Sequence, residues 1–184
     1  ALSSLKGPKH GGANIKVMEM MDDIRAHVSD VTDEDEMRAY IGKIVDKEAF
    51  DHKGLVYGMG HAVYTMSDPR AVVIKKYAAA LARDKGRADD LELMERVEEL
   101  GIRKIMTRKH QSIPMCANVD LYSGLIYSML EIPEDLYTPL FATARIAGWC
   151  AHRLEELATG NRIMRPAYRA MLIKEPYIPV DART

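Results

Sequence analysis

The chain has 184 residues, enough for one ordinary domain or two small ones with a real core, and 47% of them are hydrophobic, a globular composition. Its 26 lysines and arginines nearly balance 27 aspartates and glutamates, so a net charge of −1 gives no overall field to recruit nucleic acid or an acidic membrane surface. Two cysteines, Cys116 and Cys150, argue against a disulfide scaffold and for a reducing, cytoplasmic setting; no apolar run nears the ~20 residues of a membrane span, and no signal-peptide pattern opens the chain.

Ala1 runs almost at once into Lys6-Gly7-Pro8, which reads as a cut made inside a longer protein. β-Branched residues never alternate long enough for a strand, whereas helical spacing recurs throughout, so the predicted class is all-α. Val17, Met21, Ile24 and Val28 make one apolar face; Thr32 is expected to cap a helix with an acidic first turn, Asp33 to Glu36, and an inner face of Met37, Tyr40, Ile41 and Ile44. Residues 50–59 read as a loop containing a short hairpin. Asp68-Pro69 starts a third helix to about Arg83, with Val73, Ile74, Tyr77, Ala78 and Leu81 expected inward. Asp89-Asp90 opens a fourth, with Leu93, Met94, Val97 and Leu100 inward and Gly101 expected to interrupt or end it.

The basic stretch Arg103, Lys104, Arg108, Lys109 and His110 reads as a solvated face, although phosphate would suit it. Asn118 to about Leu130 is expected to be helical, with Val119, Tyr122, Ile126 and Met129 spaced for a core. Thr138-Pro139 starts a last helix through Arg145, Trp149 and Leu154 to about Leu157, stopped by Gly160. The tail, Tyr168 to Thr184, with Pro176 and Pro179, is predicted to be an extended arm.

Chemistry concentrates in Gly58-Met59-Gly60-His61 and the following Asp68-Pro69-Arg70. The two glycines let backbone pass close to a ligand, and Arg70 stands in a first helical turn, beside the positive end of the helix. A histidine able to exchange a proton near neutrality, held against an arginine fork, suits an anionic substrate bearing a carbonyl. Four further pieces join it: His10 between glycines in Gly7-Pro8-Lys9-His10-Gly11-Gly12-Ala13-Asn14; Asp120 in Asn118-Val119-Asp120-Leu121-Tyr122-Ser123-Gly124; Arg145 on an apolar helix; and Arg165 before Pro166. Taken singly, each has a plain explanation as a turn residue, a helix cap, a snorkelling side chain or a surface charge.

Taken together, this ordered set resembles the citrate synthase family, from Gly7 to about Arg169. Gly7 to Asn14 is similar to that family's first histidine motif, Gly58 to Arg70 to its second, and Asn118 to Gly124 to its aspartate motif, while Arg145 and Arg165 match two later arginines. The resemblance implies condensation of acetyl-CoA with oxaloacetate, giving citrate and CoA, with no metal and no permanently bound cofactor. It assigns Asp120 as the base that takes the methyl proton, His10 as donor to the thioester oxygen, and His61 as the group that polarises the oxaloacetate carbonyl. Arg70, Arg145 and Arg165 would hold the carboxylates. Leu55, Val56, Tyr57, Gly58, Met59 and Gly60, with Asn118, would take CoA.

The resemblance further implies a homodimer in which Arg165 serves the partner's site, and a chain that is the C-terminal portion of a longer enzyme, inactive alone. Its parts would be the end of a large domain (1–31), a small domain (32–117), and further helices and tail of the large domain (118–184). Two features depart from the family pattern: Thr65 stands where a basic residue is common, so that Lys104, Arg108 or Lys109 would have to meet the CoA phosphates, and Met115-Cys116-Ala117 replaces a shorter approach to Asn118. A 2-methylcitrate synthase using propionyl-CoA would keep the same residues, since one methylene is worth only about 1–3 kcal/mol in a pocket. A non-catalytic helical module binding CoA is the rival from another class. His10, His52, His61 and His110 lack ligand spacing, so no metal site is expected.

Overall fold

The computed structural model of the protein describes Leu5, residues 12–109 and residues 114–160. Among them lie six α-helices and no strand: α1 (Ala13–His27), α2 (Glu34–Val45), α3 (Pro69–Asp84), α4 (Ala88–Lys109), α5 (Val119–Met129) and α6 (Tyr137–Thr159). No helix of the described residues is long and apolar enough to cross a membrane. Contacts divide the chain into two compact units, 1–145 and 146–184. In the first, α5 packs against α1, α3 and α4, and α2 lies on α4.

Local signals explain most boundaries. Val17, Met20, Met21 and Ile24 of α1 are all shut off from solvent, each burial worth about 1.5–3 kcal/mol. For α2 the cap is Asp33 and not Thr32: its carboxylate accepts from the N–H groups of Asp35 (2.8 Å) and Glu36 (3.2 Å), while the Thr32 hydroxyl donates to Asp30 (2.6 Å). A carboxylate at that position also complements the helix dipole, which a hydroxyl does not. Residues 50–59 form turns without the expected hairpin, because Met59 pairs with distant Ala117.

Two faces differ from expectation. On α3, Ala78 is buried and Ile74 and Leu81 pack half-buried on the core as expected, but Val73 (56%) and Tyr77 (65%) are exposed while Ala71 and Ala82 are buried; small residues let this helix approach its neighbours closely. On α5 the buried set is Leu121, Tyr122, Leu125 and Met129, with Val119 and Ile126 half-buried.

Gly101 does not stop α4, which runs on to Lys109. A Cβ there would come 3.1 Å from Val56 Cγ1, so the glycine is where the loop seats on the helix, and that contact offsets a propensity cost of about 1 kcal/mol. Gly124 is tighter still: a Cβ would lie 2.8 Å from Met18 Cγ, which marks the crossing of α1 and α5.

The last helix starts at Tyr137, one residue before the expected Thr138, out of a 3-10 turn at Glu134–Leu136; the buried Tyr137 hydroxyl donates to the Gly124 carbonyl at 3.3 Å. In the second unit, residues 146–159 continue α6 with Leu154 and Leu157 exposed and Arg153 paired to Glu156 at 2.6 Å. The tail expected as an extended arm lies outside the described residues.

Candidate active site

The glycine loop and the start of α5 are tied together by one short antiparallel clip. The Gly58 carbonyl accepts from the Asn118 N–H and the Gly60 N–H donates to the Cys116 carbonyl, both at 2.8 Å. The Asn118 side chain completes it, its Nδ2 donating to the Gly60 carbonyl (2.9 Å) while Oδ1 caps α5 by accepting from the Asp120 N–H (3.0 Å). Gly58 has φ 83° and a Cβ there would sit 2.9 Å from Leu121 Cα, so only glycine fits.

His61 follows directly, exposed, with Nδ1 accepting from the backbone N–H groups of Val63 (3.0 Å) and Tyr64 (3.2 Å). A nitrogen that accepts carries no proton, so this pattern assigns the neutral ring's hydrogen to Nε2. The Tyr64 ring lies 4.9 Å from the imidazole and 5.4 Å from the Arg70 guanidinium.

Arg70 is held by Asp68, which accepts from Nε at 3.0 Å and Nη2 at 2.8 Å and also caps α3 through the Arg70 N–H at 2.9 Å. The hydrogen bond and charge of Arg70 hold the Asp68 carboxyl below the ordinary carboxylate value, and Asp68 in turn raises Arg70.

Asp120 stands in the first turn of α5, half-buried, and burial pushes its carboxyl up; Arg70 and His61 pull it down and Asp68 pushes it up, so all four groups share one field. A carboxylate that burial makes more basic, with the Arg70 cation in its field, can take a proton and then be stabilised as the anion it must again become. It lines a small cavity of about 80 Å³ with Asn14, Thr138 and Phe141. Arg145, exposed, lies over the Phe141 ring at 5.0 Å. Two residues beyond Asp120, the buried Tyr122 hydroxyl donates to Glu98, which Lys75 also pairs at 2.9 Å, pinning α5 to α4 and α3.

Of the residues expected from sequence, His61, Arg70, Asp120, Asn118 and the loop Leu55, Val56, Tyr57, Gly58, Met59 and Gly60 lie in this first unit, with Arg145 near its end. His10 and Arg165 lie outside the described residues. Sequence reasoning took Asp68 for a cap alone and passed over Tyr64 and the amide of Asn118. An acid two residues before an arginine was the visible signal for the first; the others depend on chain segments far apart. Among the described residues no three His, Cys, Asp or Glu side chains group to hold a metal ion.

Comparison with known proteins points to one family. The family "Citrate synthase, C-terminal domain" matches residues 1–167. The chain is 40% identical over 167 residues to the citrate synthase of Deinococcus radiodurans, covering 90% of this chain and 39% of that protein, and 40% identical to that of Corynebacterium glutamicum, covering 90% and 36%. A solved ternary complex of carboxymethyl coenzyme A and oxaloacetate with the citrate synthase of Thermoplasma acidophilum superposes with a TM-score of 0.68 at 28% identity, over 98% of this chain and 44% of that one. The chain thus spans about two fifths of the length of the relatives it matches. Three ordered motifs, an all-helical fold and a family match over nine tenths of the residues agree, and the chain belongs to the citrate synthase family.

Proposed function

We propose that the protein carrying this chain condenses acetyl-CoA with oxaloacetate, and that Asp120 is its carbon base. The observation that carries the reading is the half-buried Asp120 carboxyl, raised by burial, lining a small cavity beside Asn14 and sharing one field with Arg70 and His61. Asp120 takes a proton from the methyl carbon of acetyl-CoA while His10 donates a hydrogen bond to the thioester oxygen, where negative charge develops. The carbon then bonds to the ketone carbon of oxaloacetate, whose oxygen receives the proton that His61 carries on Nε2; solvent returns a proton to the ring and takes the methyl proton from Asp120 before the next turnover. Arg70, Arg145 and Arg165 pair with the carboxylates and fix which face of the ketone is attacked. Water then cleaves the citryl thioester, releasing citrate and CoA.

The clip at Gly58 to Gly60 and Asn118 suits the CoA side, because glycine without Cβ leaves backbone groups open to a ligand. Residues 1–31, 32–117 and 118–184 serve as large-domain, small-domain and large-domain segments that close over substrate in a cytoplasmic homodimer, Arg165 reaching the partner's site. The test is free CoA release from acetyl-CoA and oxaloacetate, with Asp120→Ala alongside. The variant is expected to lose turnover and keep its affinity for CoA; undiminished turnover by the variant overturns the reading, and propionyl-CoA supplied in parallel reads the acyl preference.

A further inference from the structure

Thr65 leaves the loop after His61 without the cation the family commonly has there, and the basic stretch of α4 offers several replacements. The structure separates them. Lys104 turns to α2, its Nζ against Gly42, and does not line the cavity beside the loop. Arg108 instead lines a cavity of about 260 Å³ whose apolar wall is Leu55, Val56, Met59 and Met115, and Lys47 lines the same cavity. Leu55 and Val56 belong to the loop that the acyl-CoA reading places against CoA.

Both cations are set in place by the surrounding backbone. Arg108 donates from Nη1 to the Val45 carbonyl (2.7 Å) and pairs with Asp46 through the same nitrogen, so Nε and Nη2 keep N–H groups with no partner among the described residues. The stem of Lys47 folds over Gly54: a Cβ at 54 would come 2.9 Å from its Cγ and 3.3 Å from its Cε, and the φ of 72° at Gly54 is one that other residues resist. Among the described residues no carboxylate pairs with Lys47. An apolar wall for a flat base, beside Lys47 and the unengaged Nε and Nη2 of an Arg108 that Asp46 anchors, fits a phosphorylated nucleotide.

We propose that Lys47 and Arg108 bind the phosphates at the nucleotide end of the acyl-CoA, in place of a cation at Thr65. The proposal rests on the acyl-CoA reading given above. The experiment measures CoA binding by titration calorimetry at low and high salt, for the protein and its Lys47→Ala, Arg108→Ala and Arg108→Lys variants, with melting curves as a check on folding. Each alanine is expected to weaken binding about tenfold at low salt and to flatten its salt dependence, because a screened charge pair is lost; lysine at 108 restores part of both. Variants that bind CoA as the parent does, or that bind it more weakly with salt dependence unchanged, overturn the assignment and leave the acyl-CoA reading standing. If the unsubstituted protein binds no CoA, that reading fails and takes this one with it.

Discussion

The Asp68 carboxylate, fully withdrawn from solvent, meets Arg70 along one edge of the guanidinium, at Nε and Nη2, and leaves the other edge facing out. An arginine so fixed presents its remaining N–H groups in one orientation, and planar pairing with a substrate carboxylate needs that. Asp68→Asn is nearly the same shape and still caps a helix, and Arg70 is 45% exposed, so the loss of stability is expected to stay within about 1 kcal/mol. The KM for oxaloacetate should rise about tenfold with a smaller change in kcat, which steady-state kinetics beside a melting curve would measure.

Asp68 and Asp120 respond to pH in opposite directions. Asp68 is held below its ordinary value of 3.8 by Arg70, so its stabilising contribution is complete above 3.8 and is lost as pH falls through the lower value of the folded state. Asp120 is raised above 3.8 by burial, so the folded state holds its proton more tightly, and stability falls as pH rises from 3.8 through the raised value.

Asp120→Asn removes that second dependence. Its stability is expected to exceed the parent's by an amount that grows as pH rises from 3.8 through the raised value of the folded state, then levels off, and that vanishes in acid, measured by urea unfolding at a series of pH values. Turnover should fall about 10²–10⁴-fold, the range for a lost general base.

At His61 the two ring nitrogens have separate duties, and two amides can part them. Asparagine places an oxygen where Nδ1 accepts from Val63 and Tyr64, so His61→Asn should melt like the parent yet lose about 10²–10³-fold in turnover for want of the Nε2 donor. His61→Gln offers a donor near Nε2 and no acceptor near Nδ1, and is expected to retain more activity with a looser loop.

The two loop glycines should differ in cost. Gly58→Ala meets the backbone of Leu121 at 2.9 Å in addition to its φ of 83°, whereas Gly60→Ala, at φ 82°, meets nothing nearer than the flexible Met115 side chain at 3.7 Å. Denaturant unfolding should give about 1 kcal/mol for Gly60→Ala and about 2–4 kcal/mol for Gly58→Ala.

Whatever is decided within one or two turns of helix was legible in the sequence. Asp68-Pro69, the acidic start of α2 and the stop at Gly160 are local chemistry, and the apolar faces of α1 and α4 follow from spacing alone. The inward side of α3 was legible only in part: Ile74, Ala78 and Leu81 face the core as their spacing says, but Val73 and Tyr77 share that period, and only the closeness of neighbouring helices makes Ala71 and Ala82 the buried positions. Gly101 misled for a related reason: its role lies in Val56, far along the chain. Within the site, residue types were readable and their partners were not, since the acceptor of each Asn118 amide hydrogen and the field around Asp120 depend on segments about sixty residues apart.

Asn118 grips Gly60 with one end of its amide and the start of α5 with the other. The imidazole and the acid that flank it are thereby tethered through a single side chain, across the boundary between the two segments proposed to close over substrate. A mutation that slackens this amide should blur the timing of the two proton transfers before it unfolds anything.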